Sequence, residues 1–185
     1  MEVCEPLRAC RSRKVRLDGL SATGWCAGLN RTYHGVREHI LFTPQGRIAR
    51  LVQVAGNRHD VNGLYALLGK AFSGTLLGDN AYRPRPDMRD RLAAQGVHVL
   101  FEGKEADRPG PPPITRAWLH GLRGRVERRV GLFDRQFGAG ITLNRRAAHY
   151  VARRWAKALA HNASRHMNVL LRLPEESTLH FRLAA

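Results

Sequence analysis

The order of apolar and polar positions predicts a β-hairpin followed by a helix in the first half of the chain. Two runs rich in apolar and β-branched residues, 36–43 and 47–55, flank the turn sequence "TPQG". Strand-like runs on both sides of a Pro-Gly turn are typical of a hairpin. Apolar positions then repeat at helical spacing after Asp60, which is a residue type that favours the N-cap of a helix. We therefore expect a helix that Asp60 caps.

The same patterns predict alternating strands and helices farther along. "GTLLGD" is a short apolar run that predicts a strand, and "VHVLF" predicts another. Between them, "RPDMRDRLAAQG" has Pro near its start and Gly at its end, as helices often do. After a Pro-rich link, helical patterns run from about 115 to 136 and from about 142 to 162. The pattern is lost from Ser164 onward.

This order predicts an α/β fold in which a mixed sheet is flanked by helices. It also divides the chain into an Arg-rich N-terminal segment at 1–31, a core at 32–162 and a C-terminal tail at 163–185.

The charge changes the functional interpretation. Lys plus Arg number 31, only four of them Lys, against 15 Asp plus Glu, which gives a net charge of +16. A GC-rich genome would explain the preference for Arg over Lys but not the excess of base over acid. A polyanion such as DNA or RNA is the expected partner, because a guanidinium donates two parallel hydrogen bonds to phosphate. The three cysteines show no zinc-ligand spacing.

No apolar run is long enough to span a membrane, and the N-terminal residues do not resemble a secretory signal. We expect a cytoplasmic, nucleoid-associated protein with no membrane partner.

Acidic residues are scarce, so their positions are informative. Asp79 follows an apolar strand, at the end where α/β sheets open into a crevice, although Asp also caps turns. Glu127 lies on the basic helix, on one face with His120, Arg123 and Asp134. Taken alone, it could be a solvated partner of a neighbouring arginine. Together, the two acids suit metal-dependent phosphoryl transfer, in which carboxylates hold two Mg²⁺ ions about 3.5–4 Å apart.

Four blocks of the chain resemble the insertion-sequence transposases of the DDE type, whose catalytic core has the RNase H-like fold. The blocks are "YHGVREHILFTPQGRI" (33–48), "VAGNRHDVNGLYALL" (54–68), "LLGDNAYRPRPDMRDRLAAQGVHVL" (76–100) and "HGLRGRVERRVGLFD" (120–134). The last is similar to the family pattern of Tyr, two residues, Arg, three residues, Glu, six residues and Lys. Here Arg123 and Glu127 keep the spacing, while His120 replaces the Tyr and Asp134 replaces the Lys.

The resemblance implies a DNA transposition enzyme with a two-metal Mg²⁺ site. In that site Asp79 and Glu127 are the second and third catalytic, metal-binding carboxylates, and His120 and Arg123 support them. By their charge, the surrounding arginines are expected to hold the DNA backbone largely without reading its sequence: Arg125, Arg128, Arg129 and Arg135.

The family's first catalytic aspartate would align a few residues before Met1. Glu2 has the wrong register, Asp18 comes too late, in an Arg-rich connector, and Asp60 is better interpreted as a helix cap. We therefore expect the chain to lack the first strand, to have an incomplete metal pair and to show little or no strand cleavage alone. Its partners would be DNA and either another transposase subunit or a separately encoded N-terminal portion.

Three alternatives stay open at this point. The first is a non-catalytic DNA-binding remnant or a regulator of an intact transposase. The second is a nuclease of the same fold that acts on RNA–DNA hybrids. The third is an RNA-binding protein, in which the positions of the acids would be coincidental.

Overall fold

A computed structural model describes residue 17 and residues 20–26, 30–69, 72–101, 113–138, 144 and 146–174. Its elements, in chain order, are β1 (Ala22–Cys26), β2 (Arg31–Phe42), β3 (Ile48–Ala55), α1 (Asp60–Leu68), β4 (Gly74–Gly78), a short 3-10 turn (Asn80–Tyr82), α2 (Pro86–Ala94), β5 (Val97–Phe101), α3 (Pro113–Phe137) and α4 (Ala147–Leu170). The predicted mixed α/β architecture is confirmed. Most of residues 1–31, and 175–185 of the tail, lie outside the described residues.

The strands form two sheets that share no hydrogen-bonded pair within the described part of the chain. In the first, β2 lies between β1 and β3 and pairs antiparallel with both, so the predicted hairpin is confirmed. In the second, β4 and β5 run parallel, from Gly74 opposite Val97 to Gly78 opposite Phe101. Helix α2 connects these two strands, as a parallel pair requires.

The second half of β2 is buried on both of its faces. On one side, Leu41 packs in a cluster with Leu64 of α1 and Leu76 of β4. On the other, Ile40 and Phe42 pack against α3 and α4 in a second cluster. Fully burying one such side chain contributes about 1.5–3 kcal/mol. The two clusters therefore hold both sheets and all four described helices around β2.

The prediction that Asp60 caps α1 is wrong. The N-cap is His59, and no side chain caps the helix. Asp60 is the first helical residue, and its carboxylate instead accepts a hydrogen bond of 2.7 Å from Arg37 Nη1. An ion pair to the neighbouring strand thus replaces the local cap.

The prediction that the last helix ends near 162 is also wrong, since α4 continues to Leu170. Its buried face carries several polar side chains: Arg154, His161, Arg165 and Asn168. Two of them, His161 Nε2 and Arg165 Nε, donate to the Gly46 carbonyl at 3.0 and 2.8 Å. Because the inward face is polar, apolar periodicity could not mark the true end of the helix.

Candidate active site

Asp79 lies directly after β4 and caps the 3-10 turn that follows. Its Oδ1 accepts a hydrogen bond of 2.9 Å from the Ala81 amide. The turn-capping interpretation of this residue is therefore correct as geometry, and it leaves further carboxylate lone pairs for a ligand. The pKa of Asp79 is raised, mainly because the carboxyl group is partly buried, and the charge of Asp60 raises it further. The hydrogen bond from the Ala81 amide and the charge of Arg123 lower this pKa and so oppose part of the increase.

Glu127 lies in the middle of α3 and pairs with Arg123 one helical turn before it. Arg123 Nε donates to Glu127 Oε1 at 2.9 Å, and about half of each side chain is exposed, at 45% and 55%. A helix pair of this kind at i,i+4 contributes only about 0.3–0.5 kcal/mol. The Glu127 carboxylate is thus accessible, and a competing cation would displace Arg123 at little cost.

Arg123 connects the surroundings of the two carboxylates. Helix α3 packs against β4. The charge of Arg123 lowers the pKa of Asp79, while its guanidinium is bonded to Glu127. Arg123 is therefore within electrostatic reach of Asp79 while it is bonded to Glu127. Within the residues that the structure describes, no group of three or more His, Cys, Asp or Glu side chains is placed to hold a metal ion.

The remaining predicted residues of α3 separate into two environments. His120, Arg125, Arg128 and Arg135 are exposed on the helix surface. Arg129 is buried, at 9% exposure. Its guanidinium donates to the carbonyls of Thr43 and Pro44 in the β2–β3 turn, at 3.3 and 2.7 Å. This arginine holds the hairpin turn against α3.

A cavity of about 380 Å³ lies between the end of β2 and β4, and neither Asp79 nor Glu127 lines it. Its walls come from 41–44 of β2 and the following turn, 75–77 of β4, Leu100 of β5, and one face of α3: Trp118, Leu122, Arg125, Val126 and Arg129. The lining is mainly apolar and contains no acidic residue. The cavity therefore occupies the space that separates the two sheets.

Several residues of the first two family-like blocks join elements near the site. Tyr33 Oη donates to the Gly56 carbonyl at 2.6 Å, and Arg37 Nε donates to the same oxygen at 3.0 Å. Arg37 also binds the carboxylate of Asp60, the residue that was expected to cap α1. Asp60 lies within electrostatic reach of Asp79. His39 is fully buried, and burial lowers its pKa to about 4.

A model of the family described as "Transposase DDE domain" matches residues 4–163. The chain belongs to the transposase DDE domain family. No curated protein and no solved structure matches the chain. The predicted family is thereby confirmed, and the two sheets with their four described helices are consistent with an RNase H-like DDE fold.

Membership supports a transposase-type function and implies DNA binding. Members of this family generally have nuclease or transposase activity, and DDE transposases generally use divalent metal ions. Within the described part of this member, no helix combines the length and the apolar character that a membrane crossing needs.

Proposed function

We propose that this DDE-family chain binds DNA through α3 and holds Mg²⁺ with Asp79 and Glu127, as part of a transposase active site. The observation that carries the proposal is the arrangement of Asp79 at the end of β4 and Glu127 on α3, with Arg123 acting on both. Carboxylate oxygens are the ligands that Mg²⁺ prefers. When bound, such ions activate the attacking oxygen and stabilise the leaving one.

Each residue has a defined part in this proposal. The Ala81 amide holds Oδ1 of Asp79, and the carboxylate keeps further lone pairs with which it could bind a cation. Glu127 would hold the cation in place of Arg123, which is its exposed partner in this structure. The Arg123 guanidinium would then lie beside the site, where it could donate to a phosphate. His120 is exposed one turn earlier on the same helix and is proposed to contact the DNA strand.

The proposed metal site is tested by titrating Mn²⁺, a paramagnetic substitute for Mg²⁺, against the protein by electron paramagnetic resonance. We expect Asp79→Asn and Glu127→Gln each to abolish the tightest Mn²⁺ site. The matched control is Asp87→Asn, which alters an acid in the first turn of α2. Equal Mn²⁺ binding by the wild type and by both site variants would refute the assignment.

The proposed DNA surface consists of the exposed arginines of α3: Arg125, Arg128 and Arg135. Arg129 is left out because its guanidinium is bonded to the hairpin turn. Fluorescence anisotropy of a labelled duplex at several salt concentrations tests it. Arg128→Ala should weaken binding to all sequences and reduce the slope of log affinity against log salt by about 1. Arg89→Ala, an exposed arginine on α2, should leave the slope unchanged, and an equal effect there would refute this surface.

A complete two-metal site needs a further carboxylate, and within the described residues no cluster of three or more His, Cys, Asp or Glu side chains is placed to hold a metal ion. We propose that it comes from a segment N-terminal to Met1 or from a second polypeptide, and that the chain alone cleaves little or no DNA. The cavity between β2 and β4 supports this, because an extended apolar segment placed there would lie beside β4.

The source of this carboxylate is tested by adding the residues encoded directly upstream of Met1 and measuring nicking of supercoiled plasmid with Mn²⁺. The extended protein should nick, and its Asp79→Asn variant should not. An inert extended protein would contradict the site assignment.

The second candidate is a non-catalytic DNA-binding protein that regulates an intact transposase. It is favoured by the Arg123–Glu127 pair and by the absence, within the described residues, of a cluster of three or more side chains that could hold a metal ion. It predicts that Asp79→Asn and Glu127→Gln leave DNA affinity unchanged or slightly higher and that the wild type shows no Mn²⁺ site. The Mn²⁺ titration above therefore separates the two candidates.

A further inference from the structure

A buried pair of polar rings lies beneath the turn that carries Asp79. His39 of β2 and Tyr82 of the 3-10 turn are 0% and 2% exposed. Nδ1 of His39 lies 2.7 Å from the Tyr82 hydroxyl, and the rings meet edge to face, with their centroids 5.6 Å apart. The other ring nitrogen of His39 has no hydrogen-bond partner in the described part of the protein. The contact with Tyr82 is therefore the one that compensates the burial of this imidazole.

The imidazole is a fixed point because two elements enclose it. His39 is paired with Val52 across the hairpin. On its other side is Gly63 of α1, where an added Cβ would lie only 2.2 Å from ring atoms of His39. The ring therefore fills the space that a side chain at position 63 would need. It cannot shift without moving either the hairpin or α1.

Tyr82 connects His39 to Asp79, because Tyr82 and Asp79 belong to the same hydrogen-bonded turn. The Tyr82 amide donates to the Asp79 carbonyl at 3.1 Å, and the Ala81 amide donates to the Asp79 carboxylate at 2.9 Å. Tyr82 also has the only buried side chain of the three residues in this turn. We propose that His39 is a positioning residue for Asp79, acting through the Tyr82 phenol on the turn that carries the carboxylate.

This inference rests on the proposed function, in which Asp79 binds the metal ion, so its test has two readouts. The first is Mn²⁺ affinity, measured by electron paramagnetic resonance. The second is amide hydrogen exchange at Ala81, which reports the bond to Asp79 Oδ1 without any metal. The variants are Tyr82→Phe, which keeps the ring and removes the hydroxyl, and His39→Leu, which removes the ring nitrogens.

We expect both variants to speed exchange at Ala81 and to weaken Mn²⁺ binding by about 10-fold or more, which is typical of partners that orient a metal ligand. His39→Asn should restore both values, because its amide has a polar atom close to the position of Nδ1. The control is Leu51→Ala, in the core cluster on the other side of β2, which should lower stability and change neither readout.

The outcomes distinguish the two ideas. Unchanged exchange at Ala81 and unchanged Mn²⁺ affinity in Tyr82→Phe would overturn the positioning role, as would equal changes in Leu51→Ala. If the wild type shows no Mn²⁺ binding that depends on Asp79, the proposed function is refuted. Exchange at Ala81 then still decides whether His39 holds the turn. His39→Leu need not fold for this decision, since Tyr82→Phe keeps the packing of the phenyl ring.

Discussion

Removing the Arg154 guanidinium should destabilise the protein by about 3–5 kcal/mol, the usual cost of leaving one partner of a buried ion pair alone. Arg154 of α4 donates through Nε to Glu38 of β2 at 2.7 Å, and its terminal nitrogen contacts the second carboxylate oxygen. Each side chain is 7% exposed, so solvent screens the pair little. In Arg154→Met the Glu38 carboxylate would keep, among the described residues, only its bond from Gln53 Nε2, at 2.9 Å.

The assay is urea unfolding followed by circular dichroism. Domains are stable by about 5–15 kcal/mol in total, so the loss should appear as a large fall in the urea midpoint. Arg153→Met is the matched control, because Arg153 is exposed on the same helix and its loss should change stability by less than about 0.5 kcal/mol. The double variant Glu38→Leu/Arg154→Met should regain most of the lost stability, since it leaves no buried charge. If Arg154→Met loses less than about 1 kcal/mol, the pair is not buried as the structure has it.

Two further predictions concern the His39 region. Gly63→Ala should cost about 1–3 kcal/mol by overpacking, because its Cβ would lie 2.2 Å from the His39 ring, and a urea midpoint equal to that of the wild type would contradict this contact. Stability should fall as the pH is lowered from 6.5 to about 4, because the pKa of His39 in the folded protein is about 4. Burial lowers this pKa most, the charge of Asp60 raises it in part, and the charge of Arg37 lowers it further. The unfolded chain then takes up the proton first, which is a loss of about 3 kcal/mol over this window. His39→Asn should remove most of that slope, and an unchanged slope would show that other groups cause it.

The hairpin and the strands and helices from 48 to 101 could be predicted because their signals are local. Each strand has a short apolar run, and the hairpin turn is marked by Pro and Gly. The spacing of Arg123 and Glu127 likewise predicts their contact, since residues four apart meet on one face of a helix.

Other features depend on tertiary contacts that no local pattern contains. Strand β1 has neither a strong apolar alternation nor a buried face, and it forms because it pairs with the start of β2. The Asp60 side chain pairs with Arg37, which is distant in the sequence and comes near only when the chain folds. The inward face of α4 carries polar side chains such as Arg165, which donates a hydrogen bond to the hairpin turn. Apolar spacing therefore predicted an end for this helix that is too early, since α4 continues to Leu170.

The distribution of arginines shows why composition indicates a polyanion partner but does not locate the contact surface. Arg50, Arg129 and Arg165 each donate to backbone carbonyls within the protein. Carbonyls carry dipoles and no net charge, so these guanidiniums keep their positive charge and add to the field around the molecule. Their hydrogen-bonding capacity, however, is partly used inside the protein, and a phosphate needs exposed donors.

In the proposed DNA complex, long-range attraction and short-range contact therefore belong to partly different arginines. The first is set by the total charge of +16 and is screened over about 8 Å at physiological salt. The short-range contacts with phosphate are made by exposed side chains such as Arg125 and Arg128 on α3. A substitution at an exposed arginine should thus change both the affinity and its salt dependence, whereas one at Arg129 should mainly change the stability of the hairpin turn that it holds.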